Sequence, residues 1–440
     1  AAYAAIHRQT VNIGDAYTEP DFDFSGTRQF DDRTGYRSRS FLTVPMMDHQ
    51  GEVIGVLQLI NAIDPQTQQV GTFSKSDQSL AESLASQAAI ALTNRLLINQ
   101  LEELFESFIN LINLAIDEKS PYTGGHCQRV PQLTMMLADA VNATADGPLA
   151  AFKLDERDLY ELKIAGMLHD CGKITTPVHV VDKATKLETL FDRIALVDTR
   201  FEVLKRDHEI AALRQQLQLR PPQDADAEAR IASQLQAELQ ALDDDREFIR
   251  RTNRGNESMR DEDLARVRDI GQQRTWRNAQ GVDAAFLSDD EIENLTIRAG
   301  TLTAAERAII NHHIVATIKL LEHLPWPRHL RKVPEYAGGH HERMDGKGYP
   351  KGLTREQMSV PARMMGIADI FEALTARDRP YKSPMTLSQA MAILHKFKRN
   401  GHIDPDLFDV FVQQQVYLQY ARQFLDPSQI DEVRPQDWPA

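Results

Sequence analysis

Seven side chains of metal-ligand type lie in four clusters: His126, the pair His169-Asp170, His313, and His340-His341 followed by Asp369. Imidazole and carboxylate suit a first-row transition metal, and seven ligands exceed what one cation needs. One aspartate shared between two cations would use them all. Such a pair suits hydrolysis of a phosphate ester, because two cations activate water and stabilise the leaving oxygen.

These residues must be brought together by helices. His169-Asp170 follows the helical run Leu162–Leu168 and precedes Cys171-Gly172-Lys173. There the imidazole can hold one metal while the carboxylate bridges two. Gly172, lacking a Cβ, is expected to let the chain turn tightly and bring Lys173 into the same cavity. Between His313 and Asp369 runs Gly339-His-His-Glu-Arg-Met-Asp-Gly-Lys-Gly-Tyr-Pro350. Cys127 and Cys171, each beside a ligand, read as small buried thiols and not as catalytic groups.

With 440 residues the chain is expected to form two or three domains. A net charge of −14 argues against a nucleic-acid polymer as partner, although clustered Lys and Arg can still hold a small anion. Two cysteines point to a reducing cytoplasm. No apolar stretch is long enough for a membrane span, and there is no signal peptide. The first residue is not Met, so we expect a fragment of a longer protein.

The fold class read from these patterns is α+β and multidomain. Residues 1–75 are mixed α/β, with strand-like Phe41–Met47 and Val53–Ile60 joined by the turn Asp48-His-Gln-Gly51 into a hairpin. Residues 76–119 form one long helix capped by Ser76 or Asp77. Its Leu97, Leu101, Leu104, Phe108, Leu111 and Ala115 make a heptad seam, which predicts a parallel homodimer. Residues 109–430 are mainly helical. They are interrupted by a charged insertion over 187–299, in which Pro221-Pro222 separates two helical runs, so a helical hairpin is expected.

The motifs carry a resemblance. Residues 109–186 and 300–430 resemble the HD-GYP phosphodiesterases of the HD phosphohydrolase superfamily. The HDxGK motif stands here as His169–Lys173 and HHExxDGxGYP as His340–Pro350, joined by Tyr122…His126…Arg129, Thr301…Glu306…His313, Ala368-Asp369 and Arg379-Pro-Tyr-Lys382. Phe30-Asp31…Gly35-Tyr36, the hairpin, Asn61-Ala62 and Phe73…Asp77 resemble the second half of a GAF sensor domain, truncated at its N-terminus.

The resemblance implies one metal on His126, His169, Asp170 and Asp369 and a second on Asp170, His313, His340 and His341, with iron or manganese favoured. His312 is read as a surface residue. Lys173 would supply charge to the transition state and Arg379 and Lys382 would grip phosphates. Tyr349 would stack on a base or bond phosphate, while Gly346 and Gly348 let that loop come close. Departures are Tyr122 where some relatives carry a third-metal Glu, Ser120 and Glu372 where Asp is usual, an extra residue near Arg377-Asp378, and the insertion.

The function so implied is hydrolysis of cyclic di-GMP to pGpG and onward to GMP. The GAF-like half would regulate it, with or without a small ligand. Alternatives are another cyclic dinucleotide such as 3′,3′-cyclic GMP-AMP, a non-catalytic signalling adaptor docking through the insertion, or a nucleotide phosphohydrolase of the wider superfamily. The intact GYP segment disfavours the last.

Overall fold

The computed structural model describes residues 1–119, 125–219, 225–255, 258–377, 384–434, 436 and 438. Two units result, Ala1–Phe108 and Ile109–Ala440.

In the first unit Phe41–Met47 is the middle of a three-stranded antiparallel sheet, flanked by Val11–Ile13 and Val53–Ile60. Asp48 closes the hairpin by accepting from the amides of Gln50 (2.8 Å) and Glu52 (2.9 Å), with Gly51 at φ 78°. Leu42 and Val44 alternate onto one face and pack with Ala81 and Ala85 of the long helix. Asp31 and Asn61 shape the backbone around this sheet. The buried Asp31 accepts from Tyr17 Oη, Ser38 N and Ser38 Oγ. Asn61, at φ 62°, accepts from Arg39 N and donates to the Arg37 carbonyl.

The long helix spans Lys75–Lys119. Its cap is Ser74, two residues before the expected Ser76: Asp77 N donates to Ser74 Oγ (3.1 Å) and Ser74 N to Asp77 Oδ2 (2.8 Å). This reciprocal pair satisfies two amides that the first turn leaves free. No described helix is long and apolar enough to cross a membrane.

The second unit is helical. The site-bearing helices are His126–Ala143, Glu156–Leu168, Ala304–Glu322 and Val360–Thr375; Asp155, Thr303 and Ser359 cap the last three. Leu133, Leu137, Leu162, Ile314, Met365 and Phe371 are fully buried between them. Gly166 rests on Pro131, where an added Cβ would come within 3.2 Å of the Pro131 Cα, so two of the helices cross closely.

The insertion contains the expected pair of helices, Ile194–Gln218 and Ala225–Asn253. Beyond them come the helix Asp261–Gln273, a ribbon of Thr275–Arg277 and Asp283–Ala285, and the helix Asp289–Leu295. Leu187, Phe201, Leu242, Phe248, Val267 and Phe286 share one apolar cluster. Each such side chain contributes about 1.5–3 kcal/mol when buried, so the base of the arm has a core of its own. The apolar residues are spread thinly among charges along the sequence, and only tertiary packing gathers them.

Candidate metal centre

Asp170 ends the turn after the helix Glu156–Leu168 and is 2% exposed. Its two oxygens face different histidines. Oδ2 lies 3.2 Å from His126 Nε2 and 3.3 Å from His169 Nε2; Oδ1 lies 3.3 Å from His313 Nε2. Asp369 reaches in from the helix Val360–Thr375, with Oδ1 3.3 Å from His126 Nε2 and Oδ2 4.0 Å from His341 Nδ1. His340 and His341 arrive side by side after the helix Val333–Gly338, and His341 Nε2 is 3.2 Å from His313 Nε2. Two sets can each hold a cation, His313-His340-His341 and His126-His169-Asp170, with ligand atoms in each within 4.8 Å of one another.

The histidines are aimed by the backbone. Nδ1 of His169, His313 and His340 each meets the carbonyl three residues earlier, on Gly166 (2.7 Å), Ile310 (2.5 Å) and Ala337 (2.7 Å). A carbonyl only accepts, so Nδ1 carries the proton and Nε2 presents a lone pair inward. Nε2 of His126, His169 and His340 and Oδ1 of Asp170 are buried without a hydrogen-bond partner. Four orphaned donor atoms converging on one cavity are costly unless something binds them, and imidazole and carboxylate together suit a divalent transition metal. The residues therefore fit a metal.

Electrostatics separate the ligands. Burial opposes charge on His126, but Glu372, Asp170 and Asp369 outweigh it and hold its pKa well above the ordinary value. Burial, with His341 and His169 nearby, keeps His340 well below it, and burial pushes His341 down to about 4. Asp170 stays well below the usual carboxylate range: burial is outweighed by Lys173, His169 and His126. Lys173 Nζ donates to Asp170 Oδ2 at 2.5 Å while its side chain remains 17% exposed. Both cysteines are buried, and burial raises Cys127 to about 12 and Cys171 to about 11.

Glu372 was visible in the sequence only as a departure. In the structure its Oε2 is 2.5 Å from His126 Nδ1, and Oε1 accepts from Arg129 Nε at 2.7 Å. It lies one helical turn after Asp369, on the same face, and that spacing was the available signal. A carboxylate behind a ligand histidine fixes its orientation and basicity. Glu372→Gln is expected to weaken metal binding about 10–100-fold with the fold retained, read by metal titration beside circular dichroism. Unchanged affinity would contradict the role.

The remaining expected residues fall as follows. His312 is exposed whereas His313 is buried. Tyr349 stacks on His341 with ring centroids 4.8 Å apart, and its amide donates to the His341 carbonyl. Gly346 has φ 73°, and a Cβ on Gly348 would come within 2.4 Å of Arg343 N and Glu342 Cα. Left-handed backbone at Gly346 and close approach of the chain itself at Gly348 thus account for the two glycines. The buried Glu342 ties the loop by accepting from Lys351 N and Leu353 N. Gly172 is not at a left-handed φ; a Cβ there would lie 2.0 Å from the His313 carbonyl and 2.5 Å from Thr317 N. Close approach to the His313 helix, and not a turn, explains it. Arg379 and Lys382 lie outside the described residues.

The end of the long helix holds two ligand-bearing segments. Asn113 Nδ2 donates to the Met167 carbonyl (2.9 Å), Lys119 Nζ to the Ile174 carbonyl (2.5 Å), and Asp117 Oδ2 accepts from Gly125 N (3.3 Å).

Comparison with known proteins follows the same division. A GAF domain profile matches residues 1–92, and two HD domain profiles match residues 123–238 and 237–407, meeting inside the insertion. A 3′3′-cGAMP-specific phosphodiesterase of Vibrio cholerae is 46% identical over 87 residues, 19% of this chain and 20% of that protein. A probable cyclic di-GMP phosphodiesterase of the same species is 34% identical over 140 residues, 30% of this chain and 31% of that protein. A cyclic di-GMP phosphodiesterase of Pseudomonas aeruginosa is 36% identical over 116 residues, 26% of this chain and 27% of that protein. The matches thus span between a fifth and a third of these relatives. The chain carries an N-terminal GAF domain followed by an HD domain, and its relatives include phosphodiesterases named for cyclic di-GMP and for 3′3′-cGAMP.

Proposed function

We propose that this protein is a metal-dependent phosphodiesterase that hydrolyses cyclic di-GMP to pGpG, with its GAF domain regulating the rate. The observation that carries this reading is the division of Asp170, one oxygen toward His126 and His169 and the other toward His313. We assign His126, His169, Asp170 and Asp369 to one cation and Asp170, His313, His340 and His341 to a second, with iron or manganese as the metals. When bound, the cations supply Lewis acidity toward the phosphodiester and lower the pKa of the attacking water.

The side chains do the rest. Lys173, held as an ammonium by Asp170, meets the negative charge that grows on the phosphoryl oxygens. Tyr349, backed by His341, offers a flat face beside the cavity mouth for a base. Arg379 and Lys382 are assigned to the substrate phosphates. The contacts of Asn113, Asp117 and Lys119 give the helix leading from the GAF domain a grip on the Gly125-His126 and Met167–Ile174 segments, a route for regulation.

The test is release of pGpG from cyclic di-GMP by protein loaded with Fe(II) or Mn(II), measured beside 3′,3′-cyclic GMP-AMP. Turnover of the former, lost in His169→Ala, is expected. Turnover of neither would end the proposal. Faster turnover of cyclic GMP-AMP would transfer it to that substrate, which the 46% identical relative favours.

The long helix also supports a homodimer. Leu97, Leu101, Leu104, Phe108 and Leu111 along the seam are all exposed, at 45–64%. A continuous apolar stripe in water favours pairing with a second copy. Leu101→Lys with Leu104→Lys is expected to yield monomers in light scattering; a dimer that persists would place the interface elsewhere.

A further inference from the structure

A second cavity of about 740 Å³ opens in the helical unit, where the insertion joins the HD body. The insertion contributes Arg254 and the turn glycine Gly255 (φ 72°), and the turn just after it contributes Gly300 (φ 77°). From the body come Arg307, Ile310, Ile393, Lys396 and Phe397. Arg307 lies on the same helix as His313, six residues earlier, roughly 9 Å along the axis and on another face. Ile310, whose carbonyl aims His313, lines it as well, so the cavity borders the metal centre, although none of the seven metal-ligand side chains is in its lining.

Its chemistry is specific. Lys183 in its floor is fully buried and neutralised by Glu306, with Asn294 as a further acceptor. Thr301 Oγ1 pins the wall by donating to the Lys183 carbonyl. Arg254, Arg307 and Lys396 form no ion pair with any described residue, in a chain whose net charge is −14. Most cations elsewhere in the insertion are paired, such as Arg200 with Glu291 and Arg250 with Asp198. Three cations with no ion pair among the described residues, over an apolar wall with one aromatic ring, call for a ligand that joins phosphate to a flat ring system. The volume suits one small molecule.

We infer that this cavity is a second, non-catalytic site for a nucleotide, its phosphate held by Arg254, Arg307 and Lys396 and its base laid against Ile310, Ile393 and Phe397. A ligand there touches the insertion and the His313 helix at once, and so ties the arm to the catalytic body. Phe397 also packs on His402, ring centroids 4.4 Å apart, beside the Gly401 carbonyl that accepts from Asp345 N of the Tyr349 loop.

The test is calorimetric binding of GMP, guanosine and inorganic phosphate to the full chain stripped of metal by chelation, so that the metal centre is not the occupant. GMP is expected to bind more than tenfold tighter than either fragment. Arg254→Glu with Lys396→Glu, both at exposed positions, should weaken GMP at least tenfold, whereas His169→Ala should leave it unchanged. No GMP binding to the stripped wild type overturns the inference. So does binding that His169→Ala removes and the double variant keeps, since the ligand would then lie in the catalytic cavity. Inorganic phosphate binding as tightly as GMP would overturn the base contact. Because no turnover is measured, failure here leaves the hydrolase reading standing.

Discussion

Asp170→Asn is expected to lower phosphodiesterase turnover by at least about 10³-fold and to reduce bound metal to one ion per chain or fewer. The side chain keeps its size, so the loss reports charge and ligation. Oδ2 faces His126 and His169 and accepts from Lys173, while Oδ1 faces His313, so the amide removes negative charge from both sets at once. In metal-free protein the substitution also leaves Lys173 and His126 without their shared anion. Removing one partner of a buried pair typically costs about 3–5 kcal/mol, and the partial exposure of Lys173 puts this case toward the lower end. Thermal denaturation of stripped wild type and variant measures that part; turnover and metal analysis measure the rest. A variant with two metals and full turnover would show that Asp170 does not link the two sets.

Gly172→Ala carries the second large effect. The new methyl would meet the His313 carbonyl at 2.0 Å and Thr317 N at 2.5 Å, which are backbone atoms of a helix and cannot rotate aside. It would also separate Gly172 N from Thr317 Oγ1, now bonded at 2.9 Å. Overpacking of this kind typically costs about 1–3 kcal/mol, and contact with helix backbone puts this case at the upper end. The same displacement pulls His313 away from Asp170, so metal binding should fall along with the melting temperature. Chemical denaturation and metal titration read the two losses separately. A variant of wild-type stability would mean that this contact is looser than the structure has it.

Much of the site was legible because its chemistry is written in residue types. His126, His169, Asp170, His313, His340, His341 and Asp369 could be picked out by ligand class and motif spacing, and the structure gathers them around one cavity. What holds them was less legible. The bonds from Nδ1 to a carbonyl three residues back depend on local helix geometry at His169, His313 and His340. Glu372 acts on a residue 246 positions away. Gly172 looked like a turn residue because a missing Cβ has the same sequence signature whether it frees φ or admits a neighbouring helix. In the fold, the hairpin Phe41–Met47 with Val53–Ile60 followed from β-branched and apolar runs around a Gly turn. The core of the insertion did not, since Phe201, Leu242 and Phe286 meet only after the chain has folded back twice.

The central claim is that two cations share Asp170, and anomalous diffraction from crystals grown with Mn(II) tests it most directly. The account predicts two peaks per chain, one beside His126, His169 and Asp369, the other beside His313, His340 and His341, with the Asp170 carboxylate between them. A single peak, or peaks not touching Asp170, would contradict it.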